Sequence, residues 1–338
     1  MRIHHPVPRL CAFAAAIFLS IAACAADITG AGATFPYAVY TKWAEAYKAV
    51  TKNQVNYQGI GSSGGVKQIK AKTVDFGGTD APLSKADLDA AGLVQFPTVM
   101  GGVTIVGNVP GVDSGKLKLD GPTAADIFRG AIRKWNDPLI AAQNPGLKLP
   151  DLAITVAFRS DGSGTTYVFS NYLARQSASF RNEVGTGNTV NWPANGVGGK
   201  GNPGVAANVQ KISGAIGYVD IADASKNNMR FVALKNRAGN YIVPTQAAVE
   251  AAAAGANFKV KGMAPDLLDQ TGKDAWPITS ATYVLVYGKG SDPGKQKGVV
   301  DFFAWALNNG QMMAEELGFV PLPTSVVRMV EAEMKTIR

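Results

Sequence analysis

Gly30-Ala31-Gly32-Ala33-Thr34-Phe35-Pro36 and Gly61-Ser62-Ser63-Gly64-Gly65 each sit between an extended stretch and a helical one. Ile28 lies in a short strand ahead of the first turn. A helix is expected from about Pro36 to Val50, with proline favoured at the first helical position. Val55 to Gln58 reads as the next strand, Gly59 to Gly64 as a turn, and about Gly65 to Lys72 as a helix. Asp75-Phe76-Gly77 opens a third strand that ends in Gly78-Thr79-Asp80. The order is βαβαβ, the pattern of a parallel sheet with helices on its faces, so the fold class is α/β.

The alternation continues downstream. Val99 to Asn108 is an apolar strand broken by Pro110, and Thr123 to Arg129 reads as a helix. Ile154 to Phe158 is a strand and Thr165 to Leu173 a helix. Ala206 to Lys211 follows as a helix, Ala215 to Val219 as a strand, and Gln246 to Ala254 as an Ala-rich helix. Pro277 and Ile278 open a strand through Val286, and Val326, Val327, Val330 and Met334 form an apolar helical stripe that needs a core. Gly185 to Gly204 is rich in Gly and Asn and is expected to be a long surface loop.

The chain has 338 residues, enough for two α/β lobes. Its N-terminus reads as a secretory signal, residues 1–26. Arg2 and Arg9 precede the apolar run Leu10 to Ala23, and small residues follow. Ile21-Ala22-Ala23-Cys24 also matches a lipobox, which would anchor the chain through Cys24. His4, His5, Cys11 and Cys24 are the only His and Cys in the sequence. Removal of residues 1–26 therefore leaves neither. It also takes two arginines and no acid from the formal charge of +8, leaving +6. The lysines are scattered, so nothing points to nucleic acid.

Three glycine-rich turns lead into helices: Gly30 to Phe35, Gly61 to Gly65 and Asp161 to Thr165. A helix start leaves N–H groups unpaired and carries partial positive charge, so it suits an anion. Thr34, Ser62, Ser63, Ser163, Thr165 and Thr166 add hydroxyl donors, and Arg159 adds a forked cation. Converging, these turns would make an oxyanion site built mainly of neutral dipoles; taken singly, each is a capped βα turn. Asp80 ends a strand where ligands of α/β sheets collect. It is either a capping acid or an acceptor for an anion that carries a proton.

Enzyme motifs fail in turn. Gly61 to Gly65 matches G-x-S-x-G, but a serine triad needs a base and no histidine remains. A Ser63–Lys67 dyad is the remaining option, with Lys67 directed along the helix. Phe35 stands where a dinucleotide fingerprint needs its third glycine. Without His or Cys no transition-metal site is expected, and no cofactor motif is present. The expectation is a binding protein and not an enzyme.

Further stretches complete the pattern: Lys134-Trp135-Asn136-Asp137-Pro138, Arg159-Ser160-Asp161-Gly162-Ser163-Gly164-Thr165, Trp276-Pro277-Ile278-Thr279 and Leu317-Gly318-Phe319-Val320-Pro321-Leu322-Pro323. With the two opening turns and Asp80-Ala81-Pro82-Leu83-Ser84, they resemble, in order and over nearly the whole chain, the phosphate-binding proteins of phosphate ABC transporters. The resemblance implies a type II periplasmic binding protein fold, two α/β lobes with a hinge and a ligand cleft between them. By analogy, one lobe comprises residues 27 to about 105 plus 278–338, and the other 106–277. It implies phosphate contacts from Thr34, Phe35 (backbone N–H), Ser62 and Asp80 in the first lobe. Those of the second are Arg159, Ser163, Gly164 and Thr165, with Asp161 holding the arginine. It further implies a periplasmic monomer that delivers inorganic phosphate to an inner-membrane permease complex. Another tetrahedral oxyanion such as sulfate, or a secreted hydrolase, are the competing readings. Phe158 stands where a second basic residue can occur in this family, and Gly78-Thr79 where Ala-Ser is common.

Overall fold

The computed structural model describes residues 27–193 and 196–338. The expected signal segment, 1–26, lies outside them.

Among the described residues twelve strands carry the fold: β1 Asp27–Gly32, β2 Gln54–Gly59, β3 Phe76–Thr79, β4 Leu93–Gly107, β5 Lys118–Leu119, β6 Thr155–Arg159, β7 Val197–Gly199, β8 Ala215–Asp220, β9 Ala233–Lys235, β10 Tyr241–Ile242, β11 Thr279–Tyr287 and β12 Val320–Pro321. Nine of them form one sheet in the order β2-β1-β3-β11-β4-β8-β6-β7, with β12 also paired to β4. A small sheet, β10-β9-β5, stands apart. The opening βαβαβ unit forms as expected, β1 lying parallel between β2 and β3. Helices Tyr37–Thr51 and Ser62–Lys70 connect its strands.

β4 joins the two halves of the large sheet. Leu93–Gly102 pairs antiparallel with β11, and Val103–Gly107 pairs antiparallel with β8. The strand starts well before Val99 and runs through Pro97. Proline cannot donate to a ladder, so inside a sheet it belongs at an edge or a bulge. Here the register shifts between Thr282 and Tyr283: Tyr283 faces Pro97, Thr282 faces Val99, and Thr98 is the extra residue.

Two aromatic clusters fill the two lobes. Tyr40 stacks on Trp43 and meets Tyr57 and Phe303 edge-on, and Phe303 in turn meets Phe76 and Phe96. In the other cluster Phe169 stacks on Tyr218 at 4.4 Å, and Phe128 and Trp192 close round them.

Three local expectations need correction. Pro36 caps the first helix from outside, with φ −84° and ψ 4°. The second helix begins at Ser62, not near Gly65, because Gly61 takes φ +87° and turns the chain directly into it. The stretch 185–204 is not one loop. It contains β7, which pairs parallel with β6, and the first turn of helix Gly201–Lys211.

Candidate functional site

The three glycine-rich turns come together on the sheet where β1, β3 and β6 end. Ser62 opens helix Ser62–Lys70, Ser163 caps helix Gly164–Gln176, and Thr34 follows β1. Asp80 is the first residue after β3, and Arg159 is the last of β6. Thr34, Phe35, Ser62, Asp80, Arg159, Ser163 and Thr165 are all buried. Phe35 packs its ring edge-on against Phe319, 5.7 Å between centroids.

The turn at 61–65 lies against the turn at 161–165. The Gly164 N–H donates to Ser62 Oγ at 3.1 Å, and the Ser63 N–H donates to the Gly162 carbonyl at 3.0 Å. Asn188 Nδ2 donates to Ser63 Oγ at 3.1 Å. The approach is close because the facing residues lack side chains. A Cβ on Gly162 would lie 2.4 Å from both Cβ and Oγ of Ser63. One on Gly164 would lie 2.4 Å from Ser62 Oγ and 2.7 Å from Asp80 Oδ2.

The polarity of the hydroxyls is fixed by their neighbours. Ser62 Oγ accepts from the N–H groups of Asp80 and Gly164. Thr34 Oγ1 accepts from the Asn202 N–H, Ser163 Oγ from the Thr166 N–H, and Thr165 Oγ1 from Arg159 Nη1. A hydroxyl has one proton to donate. Among the described residues none of these four protons is donated within the chain, so all four remain available to a ligand.

Asp80 has the opposite polarity. Its Oδ1 accepts from Thr282 Oγ1 at 2.7 Å. Its Oδ2 is buried and has no partner. Burial pushes this carboxyl up to about 7, against the Thr282 hydrogen bond and the Arg159 charge, which both pull it down. One unpaired acceptor thus stands among a set of donors.

Arg159 is fixed on two sides. Its Nε and Nη2 donate to Asp161 Oδ1 and Oδ2 at 2.8 and 2.6 Å, a forked pair. Burial pushes the Asp161 carboxyl up, but the Arg159 hydrogen bonds and charge outweigh it and hold the group below the ordinary carboxylate range. Nη1 donates to Asn202 Oδ1 at 2.8 Å. The guanidinium side chain is 1% exposed.

Two cavities flank this cluster. One of about 360 Å³ is lined by Thr34, Tyr37, Tyr57 and Lys200, the other of about 260 Å³ by Asp80, Tyr167, Arg175 and Tyr283. A larger one, about 570 Å³, lies elsewhere between Leu88, Phe258 and Met329 and touches none of these residues.

Comparison with known proteins agrees with this architecture. A family model described as a PBP superfamily domain matches residues 20–309. The chain is 49% identical over 306 residues to a phosphate-binding protein PstS of Xylella fastidiosa, covering 90% of this chain and 84% of that one. The PstS of Haemophilus influenzae is 48% identical over 92% of this chain and 93% of its own. The chain belongs to the PstS family of phosphate-binding proteins. Among solved structures, a high-affinity periplasmic phosphate-binding protein bound with phosphate superposes with a TM-score of 0.72 at 23% identity, over 91% and 93% of the two chains. A phosphate-binding protein from Stenotrophomonas maltophilia gives 0.70 at 20% identity, over 91% and 94%. Both share the two-lobe α/β fold.

Within this PstS-type frame the structure adds residues that the sequence reading did not single out. Thr282 holds Asp80, Asn202 holds Arg159, and Asp220 holds Asn202. Asp220 carried a readable signal, an acid at the end of a predicted strand. Asn202 and Thr282 carried none.

Proposed function

We propose that this protein binds inorganic phosphate in the cleft between its lobes and hands it, chemically unchanged, to the inner-membrane permease of an ABC transporter. The observation that carries this reading is the unpaired carboxylate oxygen, Asp80 Oδ2, beside the hydroxyl protons of Thr34, Ser62, Ser163 and Thr165 and the Arg159 guanidinium. A phosphate ion near neutral pH offers acceptor oxygens and at least one proton, and this set of groups complements both. Thr34, the Phe35 N–H, Ser62 and Asp80 contact it from one lobe. Arg159, Ser163, Gly164 and Thr165 contact it from the other, and Asp161 orients the arginine. Names borne by relatives of nearly half-identical sequence support the ligand.

Residues 27–105 with 278–338 form the first lobe and 106–277 the second. This division is favoured by the change of partner along β4, from β11 to β8 between Gly102 and Val103, and by the start of β11 at Thr279. The hinge lies at those two crossovers.

A hydrolytic role is disfavoured by Ser63, whose hydroxyl is paired with the Asn188 amide, a group that cannot act as a general base. The protein acts as a periplasmic monomer, exported by residues 1–26, with a mature N-terminus at Ala26 or Asp27. No helix among the described residues is long and apolar enough to cross a membrane. Intact mass of the exported protein decides the N-terminus: a diacylglyceryl group on Cys24 would make it lipid-anchored. Isothermal titration with phosphate, arsenate and sulfate tests the ligand, and binding of none of them would overturn the reading.

A further inference from the structure

We propose that Asn202 is a positioning residue for the anion site: its amide, held between Arg159 and the buried carboxyl group of Asp220, sets the Arg159 guanidinium for the ligand. This rests on the phosphate reading above.

Asn202 is fully buried at the start of helix Gly201–Lys211. Its Oδ1 accepts from Arg159 Nη1 at 2.8 Å, and its Nδ2 donates to Asp220 Oδ2. A side-chain amide can turn over and exchange its two ends. Here it cannot, because a guanidinium only donates: the end that meets Arg159 must be the oxygen, and the N–H end falls to Asp220, whose carboxyl burial pushes well above its ordinary range. The neighbours admit one orientation. Asp220 is itself fixed, since its Oδ1 accepts from the Asp223 N–H at 2.8 Å and caps helix Ile221–Lys226.

The consequence falls on Arg159. A guanidinium has five N–H donors in a rigid fork. Asp161 takes one on Nε and one on Nη2, and Asn202 and Thr165 take two on Nη1. One donor on Nη2 is left, and its direction is set by the other four. The partner on Nη1 is neutral. A carboxylate there would cancel the remaining charge of the arginine and repel an anion, whereas an amide anchors the fork and leaves the charge to the ligand. The backbone N–H of the same residue holds Thr34 Oγ1 at 3.2 Å, so Asn202 fixes two donors of the site.

The test is a double-mutant cycle read by isothermal titration with phosphate, with thermal unfolding measured in parallel. Wild type comes first: failure to bind phosphate would overturn the functional reading itself. Given binding, Asn202→Ala is expected to weaken it about tenfold or more. In an Arg159→Ala background the same change is expected to cost less than about threefold, because contacting residues are not additive. A merely structural role would cost the same in both backgrounds, and that result, or no loss in either, overturns the inference. Asp220→Asn, which keeps a capping residue, serves as a second variant should Asn202→Ala not fold. It is expected to lose severalfold in the wild-type background and nothing with Arg159→Ala. Equal loss in both, or unchanged affinity, again overturns it.

Discussion

The Thr282 hydroxyl donates to Oδ1 of Asp80 at 2.7 Å, and this one bond divides the carboxylate into a satisfied oxygen and an unpaired one. Thr282 is placed for it by the sheet. β11 runs beside β3, and the register shift opposite Pro97 and Thr98 falls at Thr282. A device of the sheet thus sets which oxygen of Asp80 is left unpaired. Keeping a buried carboxylate half-satisfied costs stability in the free protein, which the first prediction uses.

Asp80 should make the ligand-free protein less stable as pH rises. Its folded-state carboxyl is pushed up to about 7 from 3.8. Between those values the folded protein holds a proton that the unfolded chain has lost. Stability therefore falls with rising pH through that window. Asp80→Asn removes this penalty, on the order of 2–4 kcal/mol above neutrality. The expected result is a higher unfolding midpoint for Asp80→Asn at pH 8 without phosphate, and convergence with wild type near pH 4. Equal midpoints at pH 8 would contradict it.

Closure of the cleft should depend on the absence of a side chain at position 162. A Cβ there would sit 2.4 Å from Ser63 Cβ and Oγ. Overpacking of this kind costs roughly 1–3 kcal/mol, so Gly162→Ala should weaken phosphate binding about fivefold to a hundredfold. Ser63→Gly removes both clashing atoms, and the double variant should recover most of the loss. Titration of the single and double variants decides; a double variant no better than Gly162→Ala would place the defect elsewhere.

The turns were legible because their chemistry is local. Gly61 and the capping Ser163 announce by residue type that a turn leads into a helix, although the second helix starts at Ser62, earlier than its glycines suggest. Arg159 and Asp161, two residues apart, share one turn. The partners that set the polarity of the site were not legible, because they are distant in sequence. Thr282 lies 202 residues from Asp80, and Asn202 lies 168 from Thr34. Asn202 was also hidden inside a Gly/Asn-rich stretch that reads as loop. There, β7 forms by pairing with β6, a long-range effect that overrides local propensity. Pro97 masked the start of β4 in the same way, since only the bulge opposite makes a proline acceptable there.

Arg159→Ala should weaken phosphate binding by about ten- to a few hundredfold, the range of one charge-assisted contact. Binding should survive, because helix-start N–H groups and hydroxyls remain. Asp161, now without its forked partner, keeps the Gly201 N–H at 3.0 Å. Its carboxyl should therefore rise toward its ordinary value, while the fold persists. Unchanged affinity in this variant would move the anion site away from β6.

Discrimination between phosphate and sulfate should rest on Asp80. Phosphate near neutral pH keeps a proton, whereas sulfate keeps none. In this buried site water cannot make up a missing partner. Asp80 Oδ2 can accept the phosphate O–H and is then satisfied. Facing sulfate, it would meet a bare oxygen with no proton between them. Its neighbours offer no relief, since Gly164 lies too close for a side chain and Thr282 already holds the other oxygen. An unpaired buried group costs about 1–3 kcal/mol when neutral and more when charged. Sites built to hydrogen-bond a ligand group reject analogues lacking it by about 10⁴–10⁵. Sulfate is therefore expected to bind at least about 10³-fold more weakly than phosphate, and arsenate, which keeps a proton, far better than sulfate. Protonated Asp80 could itself donate to sulfate. The gap should accordingly narrow as pH falls below about 7, where the buried carboxyl takes up its proton. Asp80→Asn should narrow it at every pH, because an amide donates as well as accepts. Competition titration of wild type and Asp80→Asn with the three anions, at pH 5.5 and pH 8, separates these outcomes. A wild type that binds sulfate nearly as tightly as phosphate at pH 8, or an unchanged ratio in Asp80→Asn, would remove Asp80 from this role.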